Sequence, residues 1–510
     1  MEYKVFLYCV IAIVFAFMLT WNYPLVDDAL GFSELSKSIR ESGTYSLNGE
    51  PHLKRMPILP IISAGVSYLG FDYIHSARVA TLLLGFGSFV FYYKILHIMS
   101  RSIGKKKKFF KDDIFGILMY FSPLLVLHSF FAAISESCVI FFMLGSMYFF
   151  LLARGGRNNM YYVSGLLFGI ASLSKQVGIS LGIAYLLYFV VGRLKMRREF
   201  LLSLVVGFTF PLFWFARNYV LSSDITGGYS ENIGNNLLLK FPMHFAGLLV
   251  VLVILSGVLY TPFFVNLWKK KSKDALRMNL LFVLVMFGII GVSAFGNFKW
   301  RYVVPAIPFM LLICYYNYLL YRRKIFRYLI VFGILINLMM IPYFVNGTVK
   351  NFADSIYETP PRWSQQGYEL MKCVEWVNEN APDNSFISSR NGYMWAENFV
   401  DHVYFDYQMI YDHRPDELYF IYDYRTDASM SKMLIKNGIV DYYRNVLDEE
   451  QRLMVDDDAF YLPTQLDDFD VRFSESLNLA VSQIDGVETF YGFMRNNYEF
   501  DEVYMSPSGK

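Results

Sequence analysis

The chain has 510 residues, of which 55% are hydrophobic and 18% aromatic, with a mean hydropathy of +0.34 and a formal net charge of +2. So apolar a chain of this length excludes a water-soluble globule and indicates a polytopic membrane protein, and so small a net charge gives no reason to expect a nucleic-acid partner. The small net charge conceals an asymmetry: residues 1–345 carry 33 of the 46 Lys and Arg but 14 of the 44 Asp and Glu, and residues 346–510 carry the acidic remainder. The expected organisation is a basic membrane domain over 1–345, with a first outer loop over 21–76, and an acidic water-soluble domain over 346–510.

In chain order, the first apolar run is Val5–Thr20, with no small-residue cleavage site before Trp21, so it reads as a retained span rather than a signal peptide. The loop that follows, Trp21–Pro60, places two adjacent carboxylates, Asp27 and Asp28, just beyond the span. After them come a helix-like stretch, Ala29–Glu41, a Gly-containing turn, and the basic pair Lys54-Arg55 before Pro57-Ile58-Leu59-Pro60. Pro57–Phe71 is apolar but short and interrupted by proline, as expected of a helix lying at the interface.

Further apolar runs cover Ala77–Met99, Ile114–Phe131, Cys138–Ala153, Tyr161–Leu173, Val177–Gly192, Phe200–Leu221, Phe245–Leu267, Leu280–Phe295, Val303–Tyr321 and Tyr328–Val345. With the first run they make about eleven spans, several of them short. The loops between them alternate. One set is rich in Lys and Arg, including Lys105–Lys108, Arg193–Arg198, Lys269–Lys273 and Arg322–Arg327, and is assigned to the cytoplasm. The other holds the Asp27-Asp28 loop, Ser135-Glu136, Ser174-Lys175, Arg217–Met243 and Asn297–Arg301. An odd number of spans puts the acidic tail on that same outer side.

The outer charges therefore converge on one face: Asp27, Asp28, Arg55, Glu136, Lys175, Arg217, Lys299 and Arg301. Each also has a purely structural reading. Asp27 or Asp28 could cap the Ala29–Glu41 helix, and Glu136 could serve the dipole of the next span. Lys175 could snorkel between two short spans, while Lys299, Trp300, Arg301 and Tyr302 could anchor an interface. Several bases with two or three acids on one face would suit a lipid phosphate beside an acid–base centre. Charges near a membrane are costly enough that they usually pair or serve a pathway.

The tail reads as α/β. Gly367–Asn380 has helical spacing, and Phe386–Ser388, Val403–Tyr407, Leu418–Tyr422 and Val440–Tyr443 read as short strands. Asp456–Asp458 and Asp467-Asp468 read as a solvated acidic surface. Cys9, Cys138 and Cys314 lie in apolar runs and only Cys373 lies in the tail, so no disulfide framework is expected there, which fits a prokaryotic cell membrane better than a secretory pathway. The seven histidines show no ligand spacing, and no metal or other cofactor is expected.

A set of short motifs in fixed order resembles the glycosyltransferase C (GT-C) superfamily, in particular the dolichyl-phosphate-mannose protein mannosyltransferase and lipid A aminoarabinose transferase group. The matches are Asp27-Asp28 after the first span, Arg55-Met56-Pro57-Ile58-Leu59-Pro60, Ser135-Glu136, Leu173-Ser174-Lys175, Arg217-Asn218-Tyr219, and Arg301-Tyr302 with Pro305 and Pro308. The second acid is Asp where the group commonly has Glu. The resemblance implies an α-helical GT-C membrane domain bearing a C-terminal extracytoplasmic domain. It also implies inverting sugar transfer from a polyprenyl-phosphate donor to a protein, lipid or glycan acceptor at the outer face of the membrane. By the same resemblance Asp27 acts as general base on the acceptor hydroxyl or orients it, with Asp28 and Glu136 as the other catalytic candidates. Arg55 and Tyr302 hold the donor phosphate, and Lys175, Arg217 and Arg301 are further candidates for that role. Two other classes share the apolar spans: a lipid-linked sugar transporter or flippase, which should show internal hydropathy repeats, and a polysaccharide polymerase or ligase.

Overall fold

A computed structural model describes residues 28–47, 50–102, 112–194, 196–223, 237–255, 273–294 and 300–321, four strands between 386 and 496, and isolated positions over 11–21 and at 328 and 331. The chain divides into two units, Met1–Asn22 with Asp28–Asn346, and Tyr23–Asp27 with Gly347–Lys510.

The first unit is helical. Helix α1 (Asp28–Ser42) matches the stretch expected over Ala29–Glu41, with Asp28 in its first turn and Arg40 in its last, both favourable to the helix dipole. A hairpin of β1 (Ser46–Leu47) and β2 (Glu50–Pro51) follows, then α2 (Ile58–Ser67). The long helix α3 (Tyr73–Ser102) is started by Asp72, whose Oδ1 accepts a hydrogen bond from the His75 backbone N–H at 2.8 Å.

The run expected as one span over Ile114–Phe131 is broken. It forms α4 (Asp112–Tyr120), α5 (Pro123–Val126) and a π-helical turn, Leu127–Phe131. Pro123 lacks an amide N–H and cannot continue α4, so the helix stops and restarts. The π turn closes with Ala132 N–H donating to the Leu127 carbonyl at 3.0 Å, and Ala133 then takes a left-handed φ of 50°. That reversal sends the chain into α6 (Ser135–Arg154) with Glu136 in its first turn.

Helix α7 (Met160–Ser174) ends where Lys175 becomes extended, and a 3₁₀ turn, Gln176–Gly178, leads into α8 (Ile179–Val191). A Cβ on Gly178 would sit 2.3 Å from the Ala171 carbonyl oxygen, so only glycine lets the chain double back against α7 here. Helices α9 (Arg198–Ser222), α10 (Leu237–Leu255) and α11 (Lys273–Ala294) follow. The segment expected as one span from Val303 begins instead as a 3₁₀ helix, Trp300–Ala306, and continues as α12 (Ile307–Tyr321), whose side chains are almost all buried.

Helices pack by the devices open to them in lipid, where apolar burial no longer separates helix from solvent. Small residues bring α7 and α9 together: a Cβ on Gly165 would lie 2.2 Å from the Ser203 carbonyl oxygen, and one on Gly207 would lie 2.8 Å from the Gly165 carbonyl oxygen. Hydroxyls tie α6, α7 and α8, with Ser146 Oγ donating to the Ser164 carbonyl at 2.8 Å and lying 3.0 Å from the Tyr185 hydroxyl. Asn279 donates to Asn317 Oδ1 at 3.1 Å between α11 and α12, both side chains being buried.

Five helical segments among the described residues are long and apolar enough to cross a membrane: Tyr73–Arg101, Ser135–Arg154, Arg198–Ser222, Leu276–Ala294 and Arg301–Leu320. The chain is a multi-pass helical membrane protein. Most of the first and last apolar runs lies outside the described residues, and α7 and α8, at 15 and 13 residues, are shorter than a full crossing.

The second unit contains a four-stranded sheet in the order β4-β3-β5-β6, built from β3 (Phe386–Ser389), β4 (Val403–Phe405), β5 (Leu418–Asp423) and β6 (Tyr491–Asn496). Strand β3 runs parallel to β4 and β5, and β6 is antiparallel to β5. Three strands fall where the alternation placed them, β6 was not foreseen, and the expected helix Gly367–Asn380 and strand Val440–Tyr443 lie outside the described residues.

The α7–α9 contact gives a direct test. Gly165→Ala drives a Cβ into backbone and should lower stability by about 1–3 kcal/mol. Gly291→Ala meets nothing within 4 Å and should leave it unchanged or raised. Thermal melting of the two purified variants in detergent checks the contrast.

Candidate active site

The site is assembled from five separate segments. The turn after α1 is the first. Ser38, Thr44 and Ser46 hydroxyls hydrogen-bond one another, with Ser38 Oγ 2.8 Å from Ser46 Oγ, and so tie the hairpin back to the end of α1. The segment leaving the hairpin, His52–Arg55, is held from both sides. The Tyr45 hydroxyl donates to the Arg55 carbonyl at 2.9 Å, and the Arg55 N–H donates to His52 Nε2 at 3.0 Å. From α9, Arg217 Nη1 donates to the His52 carbonyl at 3.1 Å and Asn218 Nδ2 to the Leu53 carbonyl at 3.2 Å.

With its backbone fixed in this way, Arg55 extends its side chain across α1. Its Nη2 reaches Asp28 Oδ1 at 3.3 Å, and the second Asp28 oxygen, Oδ2, accepts from Arg301 Nη2 at 2.5 Å, although Arg301 is 273 residues away in sequence. One carboxylate thus bridges the first loop and the 3₁₀ helix before α12.

From Arg301 the cluster continues through Tyr302, whose ring centroid lies 6.0 Å from Arg301 Cζ and 5.0 Å from Lys175 Nζ. Lys175 in turn donates to Glu136 Oε1 at 2.5 Å. Asp28, Arg55, Arg301, Tyr302, Lys175 and Glu136 therefore form one connected group, with three cations against two carboxylates.

Exposure separates the two acids. The Glu136 side chain is 2% exposed and closed off by Lys175, whereas that of Asp28 is 35% exposed. Of the two, Asp28 is the acid an incoming molecule can reach. Burial acts to raise the Asp28 pKa, but the nearby charges of Arg301 and Arg55, and then Lys175, outweigh it and hold the carboxyl below its ordinary value of 3.8. Both Asp28 oxygens are engaged by arginines, so its part in the structure is a bridge rather than a cap.

Arg217 falls outside this group. It stacks against Trp214, with Cζ 4.7 Å from the ring centroid, lies 5.7 Å from the Tyr45 ring, and supports the His52–Arg55 backbone. The supporting residues Tyr45, His52, Trp214 and Asn218 were not singled out by sequence reading, and only Asn218, beside Arg217 in its motif, carried a signal. Asp27 and Lys299 lie outside the described residues.

No protein-family model matches the sequence, and no curated protein matches it. Solved structures do. The crystal structure of ArnT from Cupriavidus metallidurans bound to undecaprenyl phosphate aligns over 84% of this chain and 94% of that one, with a TM-score of 0.54 and 15% identity. The apo form of the same protein aligns over the same shares, with a TM-score of 0.56 and 14% identity. The chain shares the fold of this ArnT over most of its length. A weaker likeness, with a TM-score of 0.45 and 14% identity, is to the Archaeoglobus fulgidus oligosaccharyltransferase in complex with Zn and sulfate, over 81% of this chain and 68% of that one.

The surroundings of His52 give a pH test of the site's framework. Burial, then the charges of Arg55, Lys54 and Arg217, lower its pKa from 6.5 to about 4, so it stays neutral and accepts the Arg55 N–H. A lowered histidine pKa means that the unfolded chain binds the extra proton first. The contribution of His52 is therefore fully present above pH 6.5 and is lost as the pH falls toward 4. Melting temperature should fall between pH 7 and pH 5, and His52→Gln should flatten that slope; an unchanged slope would remove the role.

Proposed function

We propose that this protein is a membrane glycosyltransferase. It moves a sugar from a polyprenyl-phosphate donor to a protein, lipid or glycan acceptor at the outer face of a prokaryotic cell membrane. The observation that carries the reading is the bridge of Arg55 and Arg301 through Asp28, joined by Tyr302 to Lys175. It is a cluster of cations with one surplus positive charge and a partly open carboxylate, in a fold shared with the Cupriavidus metallidurans ArnT, whose structure has undecaprenyl phosphate bound.

In this reading Arg55 and Arg301 hold the donor phosphate, with Lys175 and Tyr302 beside them. Asp27 is the general base, taking the proton of the acceptor hydroxyl as that oxygen attacks the anomeric carbon from the side opposite the phosphate. The bond between the anomeric carbon and the phosphate oxygen breaks, the configuration inverts, and the leaving polyprenyl phosphate gains a negative charge that the fixed guanidiniums stabilise. Asp28, already spent between two arginines, orients them. Glu136 holds Lys175, and Arg217 holds the His52–Arg55 segment. The first outer loop supplies Asp27 and Asp28, the domain over 346–510 is extracytoplasmic and helps to choose or position the acceptor, and the apolar runs make about eleven spans.

The test is transfer of labelled sugar from a polyprenyl-phosphate sugar in sealed vesicles of known orientation. Vesicles that expose the outer face should support transfer to an added acceptor. Asp27→Asn should lower the rate by roughly 10²-fold or more, and Arg301→Ala should raise the donor KM. Near-normal turnover in a folded Asp27→Asn protein would reject Asp27 as the base, and transfer confined to vesicles of the opposite orientation would reject the outer-face assignment.

A further inference from the structure

Gly31 occupies a position where a helix would be more stable with alanine, since glycine in a helix interior has the greater backbone freedom to lose. It is the fourth residue of α1, three beyond Asp28 and one before Phe32, so Asp28, Gly31 and Phe32 share one side of the helix. Onto that side falls the Arg55 guanidinium. A Cβ on Gly31 would lie 2.5 Å from Arg55 Cζ, 2.6 Å from Nη1 and 2.8 Å from Nη2. The same guanidinium has its Nη2 3.3 Å from Asp28 Oδ1 and its Cζ 5.8 Å from the Phe32 ring centroid. The missing side chain at 31 is thus filled by the flat head of Arg55, held between the carboxylate at one end and the ring at the other.

From this geometry we infer that Gly31 is a positioning residue: it is the cradle that lets the Arg55 guanidinium lie flat on α1, and it sets the angle at which Arg55 and Arg301 together present themselves to an anion. The inference rests on the reading of Arg55 as a ligand of the donor phosphate and adds the residue that aims it. Any Cβ at 31 would overlap all three guanidinium atoms. Those atoms are the far end of a flexible side chain while the Arg55 backbone is fixed by Tyr45 and His52, so the helix and the hairpin remain and only the fork moves. A guanidinium displaced from Asp28 keeps its charge but loses the planar two-point geometry that distinguishes arginine from lysine at a phosphate.

Two measurements on the full-length protein separate the inference from the reading beneath it. The first uses no ligand. Melting temperatures of Asp28→Asn, Arg55→Ala and the double variant give the coupling between the two residues, and Gly31→Ala should abolish a coupling present in the native background. Persistence of the coupling in Gly31→Ala overturns the cradle. The second measures binding of farnesyl phosphate, a short-chain prenyl monophosphate, by the detergent-purified protein. Gly31→Ala should weaken it about tenfold, and Arg55→Lys should weaken binding several-fold in the native background but less than twofold in Gly31→Ala. Full additivity of the two substitutions overturns the cradle as an aiming device. If Gly31→Ala abolishes the coupling while neither it nor Arg55→Lys alters farnesyl phosphate binding, the cradle stands and the phosphate role of Arg55 falls.

Discussion

The site depends on one carboxylate shared by two arginines. Asp28 accepts from Arg55 through one oxygen and from Arg301 through the other. At an effective dielectric of about 20, unit charges about 4 Å apart interact by about 4 kcal/mol, a figure to be reduced here because Asp28 is about a third exposed. Both of its oxygens are taken by guanidiniums, so the carboxylate belongs to the arginines rather than to the helix end. Without it two guanidiniums would face one another across a partly buried gap, and the first loop would lose its tie to the segment before α12. Lys175 is balanced by Glu136, which is sealed in behind it, so the surplus positive charge lies on the two arginines that share Asp28.

The chain makes this meeting possible by interrupting its own helices. Pro123 stops α4, the π turn and the left-handed Ala133 re-aim the backbone, and Glu136 arrives in the first turn of α6. Gly178 permits the fold-back that follows Lys175, whose extended backbone ends α7. The 3₁₀ helix over Trp300–Ala306 presents Arg301 and Tyr302 before α12 continues into the buried bundle. In a hydrocarbon environment an irregular backbone is tolerated only where protein or a polar cavity satisfies it, so these breaks coincide with the charged cluster for a physical reason. Between them, the regular helices are held by glycine contacts and buried hydroxyls that fix the spacing of the cluster's supports.

Where function was legible in the sequence, it was legible as charge in apolar surroundings. Asp28, Arg55, Glu136, Lys175 and Arg301 stood out as charges at the ends of apolar runs, Tyr302 stood out through its motif, and the structure brings all six together. Arg217 stood out by the same rule, yet it acts on the His52–Arg55 backbone, since charge alone does not say which partner a long side chain will reach. The helix over Ala29–Glu41 was readable from its own residues. The break in Ile114–Phe131 was harder to read, because Pro123 sits within uninterrupted apolarity and periodicity favours a single span. Gly31 was unreadable: its meaning depends on Arg55, 24 residues away, and a glycine in a helix carries no mark of what fills its missing side chain. Strand β6 pairs with β5 from nearly 70 residues downstream, a long-range choice that local alternation does not encode.

The central claim is that the Arg55–Asp28–Arg301 bridge is where a lipid phosphate sits. The most direct measurement is an electron cryo-microscopy structure of the full-length protein in nanodiscs with undecaprenyl phosphate. The account places the phosphate against the guanidiniums of Arg55 and Arg301, with Lys175 Nζ and the Tyr302 ring beside it. A phosphate bound elsewhere, with both arginines still closed on Asp28, would contradict it.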